Sequence, residues 1–217
     1  MEANLEIAER ITRVYKKPEF GIKEVVIDKK KYKVKQKIHS KDTFCHLQHF
    51  EKEGLTKQQP KLLMVAPMAG HHATLLKNTI QDTLEHFDVY VTDWVDANQV
   101  QIADGSFDLG DFIDYMINYM KLLGPNVHVM AVCQPTVPVL AATALMSTDN
   151  DSNIPKSIVL IGGPIDARKN PTVPNDFAID KTLEWFDQAV ISTVPHNYPG
   201  FRRRVYPGFI QLAGFIS

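Results

Sequence analysis

The sequence lacks most of the features that mark disulfide-rich, membrane or nucleic-acid-binding proteins. It has only two cysteines, Cys45 and Cys133, which lie far apart and outside any CxxC pair. This spacing argues against a disulfide framework or a zinc site. The formal net charge is −1, so no basic excess draws the chain to nucleic acid. Its first residues lack a secretory apolar stretch and no run of about 18 apolar residues occurs, so we expect a cytoplasmic protein without a signal peptide or a membrane span.

Short apolar runs alternate with helical patterns in the middle of the 217-residue chain. The runs are typical of buried strands and the intervening segments of amphipathic helices. This alternation predicts an α/β fold with a mostly parallel sheet and right-handed crossovers. The predicted strands are "LLMVA" (62–66), "DVYVTDW" (88–94), "NVHVMAV" (126–132) and "SIVLIGGP" (157–164), and the predicted helices are 72–86, 108–124 and 135–147.

The pattern predicts three regions along the chain. Residues 1–60 hold a helix over 4–17 and then alternating strands that favour antiparallel pairing. Residues 61–165 form the parallel core. Residues 166–217 are rich in proline and glycine, with a helix over 176–190 and the tetrapeptide "YPGF" occurring twice. Each Pro-Gly pair suits a type II turn, and the segment is either a pair of surface turns or the start of a cap that faces the substrate.

Cys133 lies between a predicted strand and a predicted helix. In open α/β sheets functional groups gather at the carboxyl ends of strands, and a nucleophile on a sharp strand-to-helix turn has this position. The partial positive charge of a helix N-terminus favours a thiolate there. The alternative is a small buried structural cysteine. Glycine normally stands two residues on each side of such a nucleophile, and here Ala131 and Pro135 take those places.

A nucleophile that attacks an ester needs hydrogen-bond donors for the oxyanion. In this arrangement they are the backbone N–H after the nucleophile and one from the loop after an earlier strand. The sequence predicts Gln134 as the first donor and Met68, with Ala69 next, as the second. His71 and His72 follow in the same loop, but adjacent histidines rarely chelate one ion, so we expect no metal and no cofactor.

Long blocks of the sequence resemble intracellular polyhydroxyalkanoate (polyhydroxybutyrate) depolymerases. They are "VAPMAGHHATLL", "DVYVTDWVDA", "GPNVHVMAVCQPTVPVLAA", "GGPIDAR" and "NYPGFRRRVYPGF", and the resemblance runs from about Phe20 to the last residue. The resemblance implies an α/β-hydrolase fold and thiol-based hydrolysis of 3-hydroxyacid polyester at the surface of storage granules. It also implies that Cys133 is the nucleophile.

The later members of a catalytic triad are missing from the pattern. In an α/β-hydrolase the acid and then the histidine follow the nucleophile, yet the only later histidine is His196, in a proline-rich stretch. Asp166 and Asp187 are poor candidates for the acid, and we expect Asp166 to turn the chain. Because the family's enzymes are longer, we expect an amino-terminal half that is truncated before the last strands and inactive alone. Its partners would be the granule surface and a carboxyl-terminal half. The strand at 157–161, or whichever element would pair with the missing strands, would have an unpaired edge.

Two other functions are kept. One is a non-catalytic remnant or granule-binding module. The other is a cysteine acyltransferase related to polyester synthases, which is disfavoured because "AVCQP" lacks the Gly-x-Cys-x-Gly box of those enzymes.

Overall fold

The computed structural model describes residues 17–68, 72–208 and 210–211. The helix predicted over 4–17 therefore lies outside the described residues except for Lys17. No described helix is both long and apolar enough to cross a bilayer.

Seven strands of the described residues form one mixed sheet in the order β1-β2-β3-β5-β4-β6-β7. Pairing is antiparallel from β1 through β3 to β5, and parallel over β5, β4, β6 and β7. The parallel part contains the apolar runs that the sequence predicted as buried strands. The strands are β1 (Glu24–Ile27), β2 (Lys30–Lys41), β3 (Cys45–Lys52), β4 (Lys61–Val65), β5 (Asp88–Trp94), β6 (His128–Val132) and β7 (Ser157–Ile161).

Helices cover both faces of this sheet. They are α1 (Lys77–Thr83) on one face and α2 (Leu109–Leu123) and α3 (Thr136–Thr148) on the other. The helices α4 (Val173–Asp180) and α5 (Leu183–Ala189) come after β7, and a two-stranded ribbon of β8 (Ser192–Thr193) and β9 (Arg204–Val205) follows them. A capping box at Asp108 starts α2, because its carboxylate accepts the Asp111 N–H while Asp111 accepts the Asp108 N–H. This reciprocal cap places the start of α2 within one residue of the predicted one.

Two predicted helices differ from the structure. The helix predicted over 72–86 begins as a 3-10 turn, Ala73–Leu76, and only then becomes α1. The helix predicted over 176–190 is two helices, because the chain is extended at Lys181 and Thr182. The Thr182 hydroxyl accepts the Trp185 N–H at 3.2 Å, which caps a second helix instead of continuing the first.

The core lies on both faces of the sheet. One apolar cluster packs α2 and α3 against the sheet around Met116 and Met120. The other packs α1 and the chain before β1 against the opposite face around Phe50 and Ile80. With both faces covered, the loops at the carboxyl edge of the parallel strands are the accessible place for chemistry.

β7 is the last strand of the sheet, and no strand in the described part of the chain pairs with its outer edge. Val159 and Ile161 are 45% and 44% exposed although both are apolar. The unpaired edge predicted for the strand at 157–161 is confirmed.

Candidate active site

Cys133 occupies the turn between β6 and α3, at the carboxyl edge of the sheet. Its φ of +65° is uncommon for a residue with a side chain and marks a sharp, strained turn. The Cys133 N–H donates to the Ile161 carbonyl at 2.7 Å, which ties the turn to the end of β7. The thiol is exposed. The position expected for a nucleophile elbow is therefore present, whereas the catalytic role of Cys133 stays a prediction.

Thr136, the first residue of α3, holds the other side of the turn. The Cys133 carbonyl accepts both the Thr136 N–H at 3.1 Å and the Thr136 hydroxyl at 2.8 Å. Thr136 is fully buried and packs directly on Gly163, where a Cβ would lie 1.6 Å from the hydroxyl oxygen. Glycine at 163 is thus required by the close approach of two segments. Neither Thr136 nor Gly163 was identified from the sequence, although the Gly-Gly pair after a predicted strand is a usable signal.

The residues that replace the usual glycines fit the space at the elbow. Ala131 is fully buried between the neighbouring strands β4 and β7. Pro135 is also buried and has the φ of −62° that its ring prefers. A small side chain before the turn and a proline after it therefore fit the two positions that glycine occupies in other nucleophile elbows.

The loop after β4 meets the elbow. The backbone N–H of Met68 donates to the side-chain Oε1 of Gln134 at 3.3 Å, so the structure brings the two predicted oxyanion residues together. Ala69 and His71 lie outside the described residues, while His72 directly precedes the 3-10 turn. The Met68 N–H thus donates to an oxygen atom of Gln134 in this structure. A substrate oxyanion would be an acceptor of the same chemical kind.

The two cysteines differ sharply in environment. Cys45 is fully buried, and burial raises the pKa of its thiol because the thiolate would lose its hydration. Cys133 is exposed three residues before the start of a 13-residue helix. Cys133 is therefore the only cysteine with the access that a nucleophile needs.

The candidate acids pair with arginines, and the candidate base lies in an exposed turn. Asp166 accepts Arg168 Nε at 2.8 Å and the Arg168 backbone N–H at 3.1 Å, which turns the chain as expected, and the hydrogen bond from Arg168 lowers the pKa of this carboxyl. Asp187 forms an ion pair with Arg204. His196 is exposed in a turn closed by the Tyr198 N–H on the Pro195 carbonyl. Within the described residues, no hydrogen bond joins Cys133 to any of these side chains.

The proline- and glycine-rich segment packs over the same edge of the sheet. Gly200 is buried against the carbonyls of residues 97–100, two of them 2.8 Å from where its Cβ would lie. Arg203 donates through Nε to the Val100 carbonyl at 2.9 Å. The first "YPGF" therefore docks on the loop that follows β5, and its membership of a cap stays a prediction.

The part of the chain that the structure describes offers no metal centre. No three His, Cys, Asp or Glu side chains come close enough there to hold an ion.

Residues 162–217 match the family model described as the PHB de-polymerase C-terminus. The chain resembles the PHB depolymerases. This match confirms the resemblance for the segment that supplies Gly163 and the docked "YPGF", while no curated protein matches the sequence. The α/β-hydrolase fold is confirmed by the architecture itself, in which a mixed sheet is covered by helices on both faces and carries a nucleophile-type turn at the carboxyl edge of β6.

Solved structures similar to this chain include an esterase, an α/β-hydrolase and a virulence factor. Naproxen esterase from Bacillus subtilis is 16% identical over 58% of this chain and 42% of its own, with a TM-score of 0.43. An α/β-hydrolase from the Lake Arreo metagenome is 11% identical over 81% and 62%, at 0.47. The Francisella virulence factor BioJ is 12% identical over 86% and 58%, at 0.42. The chain thus spans about half the length of these proteins, and at such identities the similarity concerns the fold alone.

Proposed function

We propose that this chain carries the nucleophilic half of a thiol-dependent hydrolase for 3-hydroxyacid polyester. The observation that supports it best is the exposed Cys133 at φ +65° ahead of α3, with the Met68 loop in contact with the next residue, Gln134. The substrate class comes from the similarity of residues 162–217 to the PHB depolymerases.

The proposed reaction has two halves. The Cys133 thiolate attacks the ester carbonyl, and the carbonyl electron pair moves to the oxygen, which accepts the backbone N–H groups of Met68 and Gln134. Return of that pair breaks the C–O bond, releases the shortened polymer as an alcohol and leaves a thioester. Water then hydrolyses the thioester to free 3-hydroxyacid and the thiol.

Proton transfer is the weak part of this half-enzyme. Expulsion of an alkoxide and attack by water both need an acid or base, and such help is worth about 10²–10⁴ in rate. Asp166 and Asp187 pair with arginines, and within the described residues no hydrogen bond joins His196 to Cys133, so we propose that the acid and the histidine are supplied by a carboxyl-terminal half. Triad members act as a unit, so polyester turnover by this chain alone should be negligible.

The test is release of 3-hydroxybutyrate from amorphous polyhydroxybutyrate granules. The chain is assayed alone, as Cys133→Ala, and together with the carboxyl-terminal half of a PHB depolymerase. We expect release only when the second half is added to the parent chain. Release by the isolated chain that is lost in Cys133→Ala would refute the missing-triad argument and point to His196. Release that survives Cys133→Ala would refute the nucleophile.

A second function, granule binding without turnover, is favoured by the surface of α4 and α5. Val173, Ile179 and Leu183 are 82%, 74% and 84% exposed, an unusual concentration of apolar groups on so short a segment. Co-sedimentation with the granules would test it, with Ile179→Ser and Leu183→Ser expected to weaken binding. Retention on granules with no acylation of Cys133 by any ester would favour this function over catalysis.

A further inference from the structure

Ala66, the first residue after β4, is held at both of its backbone groups by side chains of β5. Thr92 Oγ1 accepts the Ala66 N–H at 2.9 Å, and Trp94 Nε1 donates to the Ala66 carbonyl at 2.8 Å. Ala66 and Thr92 are fully buried and Trp94 nearly so. The backbone pairing of β4 with β5 ends at Met64. The two side chains therefore continue the attachment of β4 to β5 beyond the last paired residue.

This attachment restricts the loop that carries the Met68 N–H. Only Pro67 separates Ala66 from Met68, and its ring fixes one of the two soft dihedral angles there. Pro67 is itself buried. Trp94 is in turn packed edge-on against Phe112 of α2, with ring centroids 4.5 Å apart. The Met68 N–H, which reaches Gln134 Oε1 at 3.3 Å, is thus one short rigid step from a buried anchor.

We propose that Thr92 and Trp94 are positioning residues that hold the Met68 N–H in place for an oxyanion at the Cys133 elbow. The proposal rests on the nucleophilic role proposed above. Neither side chain touches the reacting atoms; both act through Ala66. A displacement of about 1 Å at a reacting centre can cost about 100-fold in rate, so loss of this anchor should slow the steps that place charge on the carbonyl oxygen.

Two reactions of Cys133 separate this effect from a general loss of structure. With p-nitrophenyl butyrate, the S–C bond forms as the carbonyl π pair moves to oxygen, and return of the pair expels p-nitrophenolate. The product is an S-butyryl thioester, and the thiol proton passes to the buffer. With iodoacetamide, the S–C bond forms as the C–I bond breaks and iodide leaves. Only the first reaction creates an oxyanion, and its good leaving group needs no general acid.

The experiment measures both rates at Cys133 in the parent chain and in Thr92→Val, with mass spectrometry to confirm the modified residue. Valine keeps the shape of threonine but cannot accept the Ala66 N–H. We expect acylation to fall about 10- to 100-fold while alkylation stays within about twofold of the parent, since it forms no oxyanion. Thr92→Ser, which restores the oxygen, should recover acylation. Trp94→Phe, which removes the donor to the Ala66 carbonyl, should resemble Thr92→Val.

Thr83→Val is the matched control. Among the described residues, the Thr83 hydroxyl donates to no group other than the Thr79 and Ile80 carbonyls of its own helix, so both rates should stay near those of the parent. An equal fall of acylation and alkylation in Thr92→Val would show a merely structural role and overturn the proposal, as would no change in either rate. Failure of the parent to be acylated would refute the proposed function itself, and the positioning role with it.

Discussion

Replacing Gly163 with alanine should destabilise the protein, because the new methyl carbon has no room beside the elbow. It would lie 1.6 Å from Thr136 Oγ1 and 2.4 Å from Thr136 Cβ. Non-bonded carbons prefer about 3.5–4.0 Å. Rotation of the Thr136 side chain cannot move its own Cβ, so the end of β7 and the start of α3 must separate by about 1 Å.

The cost follows from what that separation breaks. Overpacking of a core costs about 1–3 kcal/mol, and weakening the Thr136 hydrogen bond to the Cys133 carbonyl adds about 1 kcal/mol. We therefore expect Gly163→Ala to lower the free energy of unfolding by about 3 kcal/mol. In a domain of this size that corresponds to a fall of about 6–12 °C in Tm.

Urea and thermal unfolding followed by circular dichroism measure the change. Gly208→Ala is the matched control, because nothing lies within 4 Å of the added Cβ, and it should be nearly neutral. Thr136→Ala removes two of the three close atoms, so Gly163→Ala should cost less in that background than in the parent. A Gly163→Ala variant as stable as Gly208→Ala would refute the close packing of Gly163 on the elbow.

Three further predictions follow from individual environments. Burial lowers the pKa of Lys52 to about 8. Between about pH 8 and 10 the unfolded chain therefore binds more protons than the folded chain. The free energy of unfolding measured in urea should rise with pH over this range in the parent but not in Lys52→Met. Iodoacetamide should label Cys133 in the native protein and Cys45 only after denaturation, and equal native labelling would contradict the burial of Cys45. The exposed edge of β7 should make the chain self-associate, and Val159→Lys should shift its sedimentation toward that of a monomer. An unchanged sedimentation profile would show that the chain does not self-associate through this edge.

Local sequence patterns were sufficient for the strands of the parallel core, but not for every helix or for the contacts between elements. The strand predicted over 88–94 has the bounds of β5, because a short apolar run between turn residues is typical of a buried strand. The split of the predicted helix at Thr182 was missed because both halves have helical composition, and a single side-chain cap decided the boundary. The position of Cys133 was predictable because a strand, a cysteine and prolines suited to a helix start are adjacent in the chain.

The supports of the site could not be predicted in the same way. Thr136 meets Gly163 across 27 residues, and Thr92 meets Ala66 across 26. No local sequence period or motif indicates either pair, because each contact forms only when the strands are arranged in the sheet. The Gly-Gly pair at 162–163 shows that a close approach is needed, but only the packed structure identifies its partner.

The contacts that hold Cys133 and Met68 also determine which step of the proposed reaction can be measured separately. The Ile161 carbonyl and Thr136 hold the Cys133 backbone, and Ala66 and Pro67 lead to the Met68 N–H. All of these groups lie within the described residues and none of them is a general base, so the proposed attack and oxyanion contacts involve no general base. Acylation by an ester with a good leaving group needs only that geometry, whereas release of an alkoxide and hydrolysis of the thioester also need proton transfer. A chain with this architecture should therefore accept one acyl group per Cys133 and then stop, and repeated turnover in the absence of a second segment would mean that a base acts from a position the present contacts do not assign.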